Sequence, residues 1–101
     1  MPKIYYSAVF HKDGEGYWVE FPDLQGCLTE GETLDEAMFM ASDALGEWIN
    51  AQEFIHVDKF NDPTELELVQ KRYPNEKVFM IEYDDAKWKK EHLKNGRIEK
   101  K

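Results

Sequence analysis

The 21 carboxylates, three histidines and one cysteine of this chain are the side chains that would serve catalysis, so their placement decides what chemistry is open to it. A two-metal nuclease needs carboxylates converging on divalent ions about 4 Å apart. The first strand-like run, "IYYSAVF", carries no acid. Glu20 is the only acid inside the second run, and its neighbours Trp18 and Pro22 give it no partner at metal-ligand spacing. Glu30 and Glu32 flank a turn, and Asp84-Asp85 reads as a helix cap. Hard cations require several converging oxygens, so no metal site is expected. Cys27 lies between Gly26 and Leu28 and reads as a packed thiol; with no second cysteine there is neither a redox pair nor a zinc set. His11, His56 and His92 are each expected as exposed polar residues, none at a spacing that pairs it with Cys27, Ser7 or Ser42. Asp13-Gly14-Glu15-Gly16 is no phosphate loop, because its carboxylates would repel the phosphate and no helix follows it. No catalytic residue, metal or cofactor is expected.

Recognition is the remaining class. Trp18 and Tyr6 have the chemistry of base-stacking aromatics on a sheet, but Lys3 and Lys12 are the only lysines or arginines in the first 58 residues. Direct RNA binding by the body is therefore disfavoured. Lys87, Lys90 and Lys94 recur along one face of a C-terminal helix and suit a salt-dependent phosphate contact. An exposed aromatic such as Trp18 on an acidic surface instead suits protein recognition, unless Trp18 covers the first strand or lies under the C-terminal helix.

These side chains must be held by a short series of elements. Asp13-Gly14 between two apolar runs signals a hairpin. In "YWVEF", Tyr17, Val19 and Phe21 share one face and Trp18 and Glu20 the other. Pro22 ends that strand, and "CLTEG" makes a third. Thr33 and Glu36 form a capping box, and Leu34, Ala37, Met38, Ala41, Leu45, Trp48 and Ile49 give an apolar helical face through about Ala51. Residues 52–62 read as a connection, with Asp62-Pro63 as a helix start. "TELELVQKRY" fits a short helix or a strand. "KVFMIEY" is a fourth strand, and Asp84 or Asp85 caps the basic "AKWKKEHLK" helix, which Asn95-Gly96 would stop. The expected fold is α+β: a two-layer sandwich, antiparallel β-β-β-α-β with a short C-terminal helix.

The length of 101 residues fits one domain. No apolar run approaches the roughly 18 residues of a membrane span, the start "MPKIYYSAVF" lacks a signal-peptide pattern, and a lone cysteine favours a reducing cytoplasm. The net charge of −8 is uneven: residues 87–101 hold seven basic and two acidic side chains, net +5, leaving 6 basic and 19 acidic, net −13, on residues 1–86. An acidic body repels nucleic acid and attracts a basic protein.

The stretch from Tyr5 to about Ile49 resembles the N-terminal domain of HicB-type antitoxins, through Gly16-Tyr17, Phe21-Pro22-Asp23-Leu24, Gly26-Cys27, Thr29, Gly31, Thr33-Leu34, Glu36-Ala37 and Trp48. "VFMIEYD" and "AKWKK" fit the continuation more loosely. The resemblance implies a partial RNase H-like fold without the nuclease's acids, over residues 1–86, followed by a basic helix or tail over 87–101. It implies a partner, HicA, a small basic mRNA-cleaving toxin of double-stranded-RNA-binding fold; the expected contacts are the exposed acids and aromatics near the third strand, Trp18, Glu20, Asp23, Glu30 and Glu32. It also implies association between copies. Many members continue into a C-terminal ribbon-helix-helix or helix-turn-helix that binds the operator; "GRIEKK" stands where such a segment would be starting. Related solitary domains are taken as RNA binders, which leaves Lys87, Lys90 and Lys94 as the alternative nucleic-acid contact.

Overall fold

The computed structural model describes residues 3–54, 63–94 and 97–98. His56, the Asp62 cap, Asn95-Gly96 and the last three residues lie outside them. The elements follow in the order β1 (Lys3–Asp13), β2 (Gly16–Glu20), β3 (Leu28–Gly31), α1 (Leu34–Phe54), α2 (Leu66–Arg72), β4 (Lys77–Asp84), α3 (Asp85–His92), β5 (Leu93–Lys94) and β6 (Arg97–Ile98). The first four strands form one antiparallel sheet in the order β3-β2-β1-β4. This is the expected α+β arrangement.

The register assigns every strand residue to a face. Phe10 opposes Val19 and Ala8 opposes Phe79, while His11 opposes Trp18, Trp18 opposes Glu30 and Glu20 opposes Leu28. Since alternate residues point to opposite faces, Tyr6, Ala8, Phe10, Val19, Phe21, Ile81 and Tyr83 look one way. They are buried in one cluster with Ala37, Ala41, Leu45 and Ile49 of α1. Full burial of a side chain such as Phe10 or Leu45 is worth roughly 1.5–3 kcal/mol, so this interface holds the domain together.

Two turns set the geometry. Asp13 pairs with Gly16, so Gly14 and Glu15 form the hairpin loop, one residue later than "DG" suggests; Gly14 takes φ of 62°. Thr33 Oγ1 accepts the Glu36 N–H at 3.0 Å, and Glu36 Oε1 accepts the Glu32 N–H at 2.6 Å. The capping box therefore forms, with the glutamate reaching one residue beyond the cap.

Three features differ from the sequence reading. Of the two readings of "TELELVQKRY" the helix is the one that forms, but Pro63 precedes α2 rather than opening it. α2 lies on the sheet face away from α1, where Val69 joins Val9 and Val78 in a second small cluster with Tyr73. The basic helix ends at His92. Leu93 pairs with Ile98 and Lys94 with Arg97, a register that leaves two residues between the strands. Asn-Gly is as strong a signal for a two-residue hairpin as for a helix stop, and here the flanking residues pair.

Asp84 Oδ1 accepts the Lys87 N–H at 3.2 Å and so caps α3, as expected. The expected boundary between the α+β domain, residues 1–86, and the basic helix or tail, residues 87–101, falls inside α3. That helix docks on α1 because Gly46, buried in mid-helix, leaves room for the Trp88 indole; a β-carbon on Gly46 would overlap the ring. Replacing glycine by alanine in an open helix gains about 0.5–1 kcal/mol, whereas overpacking costs typically about 1–3 kcal/mol. Gly46→Ala is therefore expected to destabilise by about 1 kcal/mol and to shift the Trp88 indole N–H resonance. A stabilised variant with that resonance unmoved would refute the docking.

Candidate recognition face

The sheet face away from α1 holds Tyr5, Ser7, Val9 and His11 of β1, Trp18 and Glu20 of β2, Leu28 and Glu30 of β3, and Val78, Met80 and Glu82 of β4. α2 covers its middle at Val9 and Val78. Around that cover the face stays open. Trp18 is 38% exposed, Leu28 60% and Tyr5 45%. Met80, and Leu66 and Leu68 on α2, are exposed large apolar residues as well. Glu30 and Glu82 are exposed beside them.

Trp18 is held in place from below. The His11 ring stacks on the indole with centroids 4.0 Å apart and 12° between planes. His11 Nε2 meets Glu20 Oε2 at 2.6 Å, its Nδ1 lies 3.6 Å from Glu76 Oε2, and Tyr73 meets its ring edge-on at 5.9 Å. So His11 is mostly buried, not the exposed polar residue expected, and Glu20 has a partner across the strand pair. The physical reason is register: closing the hairpin at Asp13–Gly16 sets His11 directly opposite Trp18. Trp18 thus covers part of the first strand and also presents an open edge; both alternatives hold for different parts of one ring.

The other expected contact residues divide. Trp18, Glu20 and Glu30 come together on this face. Glu32 is exposed past the end of β3, where it and Glu30 line an open groove of about 710 Å³ with Asp13, Glu15 and Glu36. Asp23 stands apart and is engaged. Its Oδ2 accepts the Thr64 N–H and its Oδ1 the Thr64 hydroxyl, both at 2.6 Å, tying the β2–β3 loop to the approach of α2. Lys87 and Lys90 are exposed on α3, but Lys94 is on β5. The three lysines therefore do not form one helical stripe. Tyr5, Leu28, Met80, Leu66 and Leu68 were missed as members of the open face. Strand alternation would have placed Leu28 beside Trp18; nothing local marks which side of the sheet α2 covers.

Cys27 is buried just before β3, its Sγ–H directed at the Ala44 carbonyl at 3.7 Å. Burial, reinforced by the Glu47 charge, pushes its thiol up from 9.0 to about 12. The folded chain keeps the proton that an unfolded chain releases near 9, so this thiol favours folding below about pH 9 and that contribution drains away between 9 and about 12. At pH 8 a thiol reagent is expected to label Cys27 only at the rate of unfolding; rapid labelling of folded protein would contradict the burial. Among the described residues no cluster of histidine, cysteine and carboxylate groups has metal-holding geometry. No described helix is long and apolar enough to cross a membrane.

The fold places the domain among antitoxin N-terminal domains. It superposes on the N-terminal domain of the Burkholderia pseudomallei antitoxin HicB with a TM-score of 0.69 at 28% identity, covering 80% of this chain and 99% of that one. It also superposes on a chain of the HicA3 and HicB3 toxin–antitoxin complex, with a TM-score of 0.67 at 21% identity over 80% of this chain and 99% of that one. The family of HicB-like antitoxins of bacterial toxin–antitoxin systems matches residues 5–96, and the chain belongs to it. Antitoxin HicB 2 of Photorhabdus laumondii is 41% identical over 59 residues, 58% of this chain and 40% of that relative. The chain thus spans well under two thirds of the length of this curated relative.

Proposed function

We propose that this chain acts as an antitoxin domain: it binds a small basic HicA-type mRNA-cleaving toxin and neutralises it by occlusion, in the cytoplasm, without catalysis of its own and without a cofactor. The observation that carries the reading is the outer sheet face, where exposed Trp18 and Leu28 are bordered by Glu20 and Glu30 on a body of net charge −13. Apolar anchors give a protein interface its affinity, and surrounding acids steer a basic partner to it. Family membership and the likeness to a chain of the HicA3 and HicB3 complex support the same partner class. Trp18, Glu20, Glu30 and Glu32 are the contact residues of this reading. Asp23 belongs to it through the loop it holds in place. Association between copies is part of it too.

The test is co-expression with the small basic open reading frame beside the gene. The neighbour alone should arrest growth, and the pair should grow and co-purify. A harmless neighbour, or one that does not co-purify, would sink the assignment. The second reading, a solitary regulator touching RNA or DNA phosphates, rests on exposed Lys87 and Lys90 with Lys94 nearby in sequence. A gel shift that survives Lys87→Glu, Lys90→Glu and Lys94→Glu together would remove that mechanism.

A further inference from the structure

The sheet order gives β3, Leu28–Gly31, a partner strand on one side only, β2. Along an antiparallel ladder, pairs that exchange hydrogen bonds alternate with pairs that do not. The phase is set just before β3, where the Cys27 carbonyl accepts the Phe21 N–H at 3.2 Å. Two steps on, Val19–Thr29 is a bonded pair, and then Tyr17–Gly31. Glu20–Leu28 and Trp18–Glu30 are the pairs between them, so the N–H and C=O groups of Leu28 and Glu30 point away from β2. The same two residues send their side chains to the recognition face, where Leu28 is mostly exposed and Glu30 is exposed across from Trp18.

We infer that the β3 edge takes an extended strand of the basic toxin, added antiparallel, so that the toxin docks through main-chain bonds to Leu28 and Glu30. The inference rests on the antitoxin reading and states how that partner binds. Charge selects the occupant. A charged residue on an edge strand ordinarily keeps other strands off, and Glu30 does so unless the residue opposite it is basic. The open groove past the end of β3 adds Asp13, Glu15, Glu32 and Glu36 to the same attraction. Antiparallel addition continues the pattern of the sheet and is the more stable pairing per residue. Residues directly opposite share a face, so the added strand sets a lysine or arginine against Glu30 and, two positions later, an apolar residue against Leu28. Main-chain bonds then supply affinity, and these two side chains choose the sequence.

Residue-resolved amide hydrogen exchange tests this on the unaltered chain, free and co-purified with the small basic protein encoded beside the gene. In the free protein the Leu28 and Glu30 amides should exchange fast and those of Thr29 and Gly31 slowly. In the complex Leu28 and Glu30 should slow at least about tenfold. Proline substitution reads the same bonds, because proline is tolerated on an edge strand where the N–H faces outward. Leu28→Pro and Glu30→Pro should stay folded by circular dichroism. In calorimetric titration each should bind the basic protein at least about tenfold more weakly than Leu28→Ala or Glu30→Ala, which lose the side chain but keep the N–H. If a proline variant fails to fold, the exchange measurement on wild type decides. Leu28 and Glu30 amides that exchange in the complex as in the free protein overturn strand addition and leave the antitoxin reading standing. So do folded proline variants that bind like their alanine counterparts. A wild type that binds no basic partner overturns both.

Discussion

Gly31→Ala is expected to destabilise the fold by about 3 kcal/mol, a large loss for a residue that is only half buried. Gly31 ends β3 and lies against the first turn of α1. A β-carbon there would stand 2.7 Å from Ala37 Cα and 3.0 Å from the Glu36 carbonyl carbon. Both are backbone atoms of the helix start fixed by the Thr33–Glu36 cap, so neither can swing aside as a side-chain end can. Gly16, opposite the same turn, is constrained in the same way: its β-carbon would meet the Gly31 carbonyl oxygen at 2.6 Å. Relief requires lifting α1 from the sheet at Ala37, at the edge of the main core. Urea unfolding of Gly31→Ala beside wild type checks this. Gly14→Ala is the control, since its β-carbon would meet nothing within 4 Å and only its φ of 62° is strained. A loss at Gly31 no larger than at Gly14, where only backbone strain acts, would contradict the crowding against α1.

The second large effect lies on recognition. Trp18→Ala combined with Glu30→Lys should weaken toxin binding by at least about 100-fold in protein that circular dichroism shows to be folded, although Trp18→Ala also gives up the stacking on His11. Trp18 offers a rigid, partly open ring already immobilised on His11, so docking costs it little ordering entropy. Glu30 sits directly across from Trp18, where its charge acts on whatever touches the ring. The two contributions separate by salt: loss from Glu30→Lys should shrink at high ionic strength, and loss from Trp18→Ala should not. The paired measurement is calorimetric titration at low and high salt. Asp23→Asn should behave differently, loosening the loop–Thr64 clasp and lowering stability rather than binding directly.

Much of this architecture is legible from local chemistry. The Thr33–Glu36 box states where α1 begins, Tyr17, Val19 and Phe21 state which face of β2 is core, and Pro22 states where the strand stops. What could not be read locally depends on distant partners. Asp23 meets Thr64 across 41 residues, so no spacing rule announces it. His11 looks like a polar residue near a turn until the hairpin register sets it against Trp18. Lys94 lies beyond the end of its expected helix because Asn-Gly signals a hairpin as well as a helix stop, and Lys94 pairs with Arg97. The open face was half legible: Trp18, Glu20 and Glu30 follow from alternation, but α2 decides which residues around them stay uncovered.

In the proposed function, the outer sheet face of this domain is the recognition surface for a basic toxin. Its most direct measurement is hydrogen exchange on the purified chain with and without the co-expressed basic partner. Protection should appear in β2 and β3, from Gly16 to Gly31, and vanish in the Trp18→Ala, Glu30→Lys variant. Protection confined to α3 and the basic segment, with β2 and β3 exchanging as in the free protein, would contradict the claim.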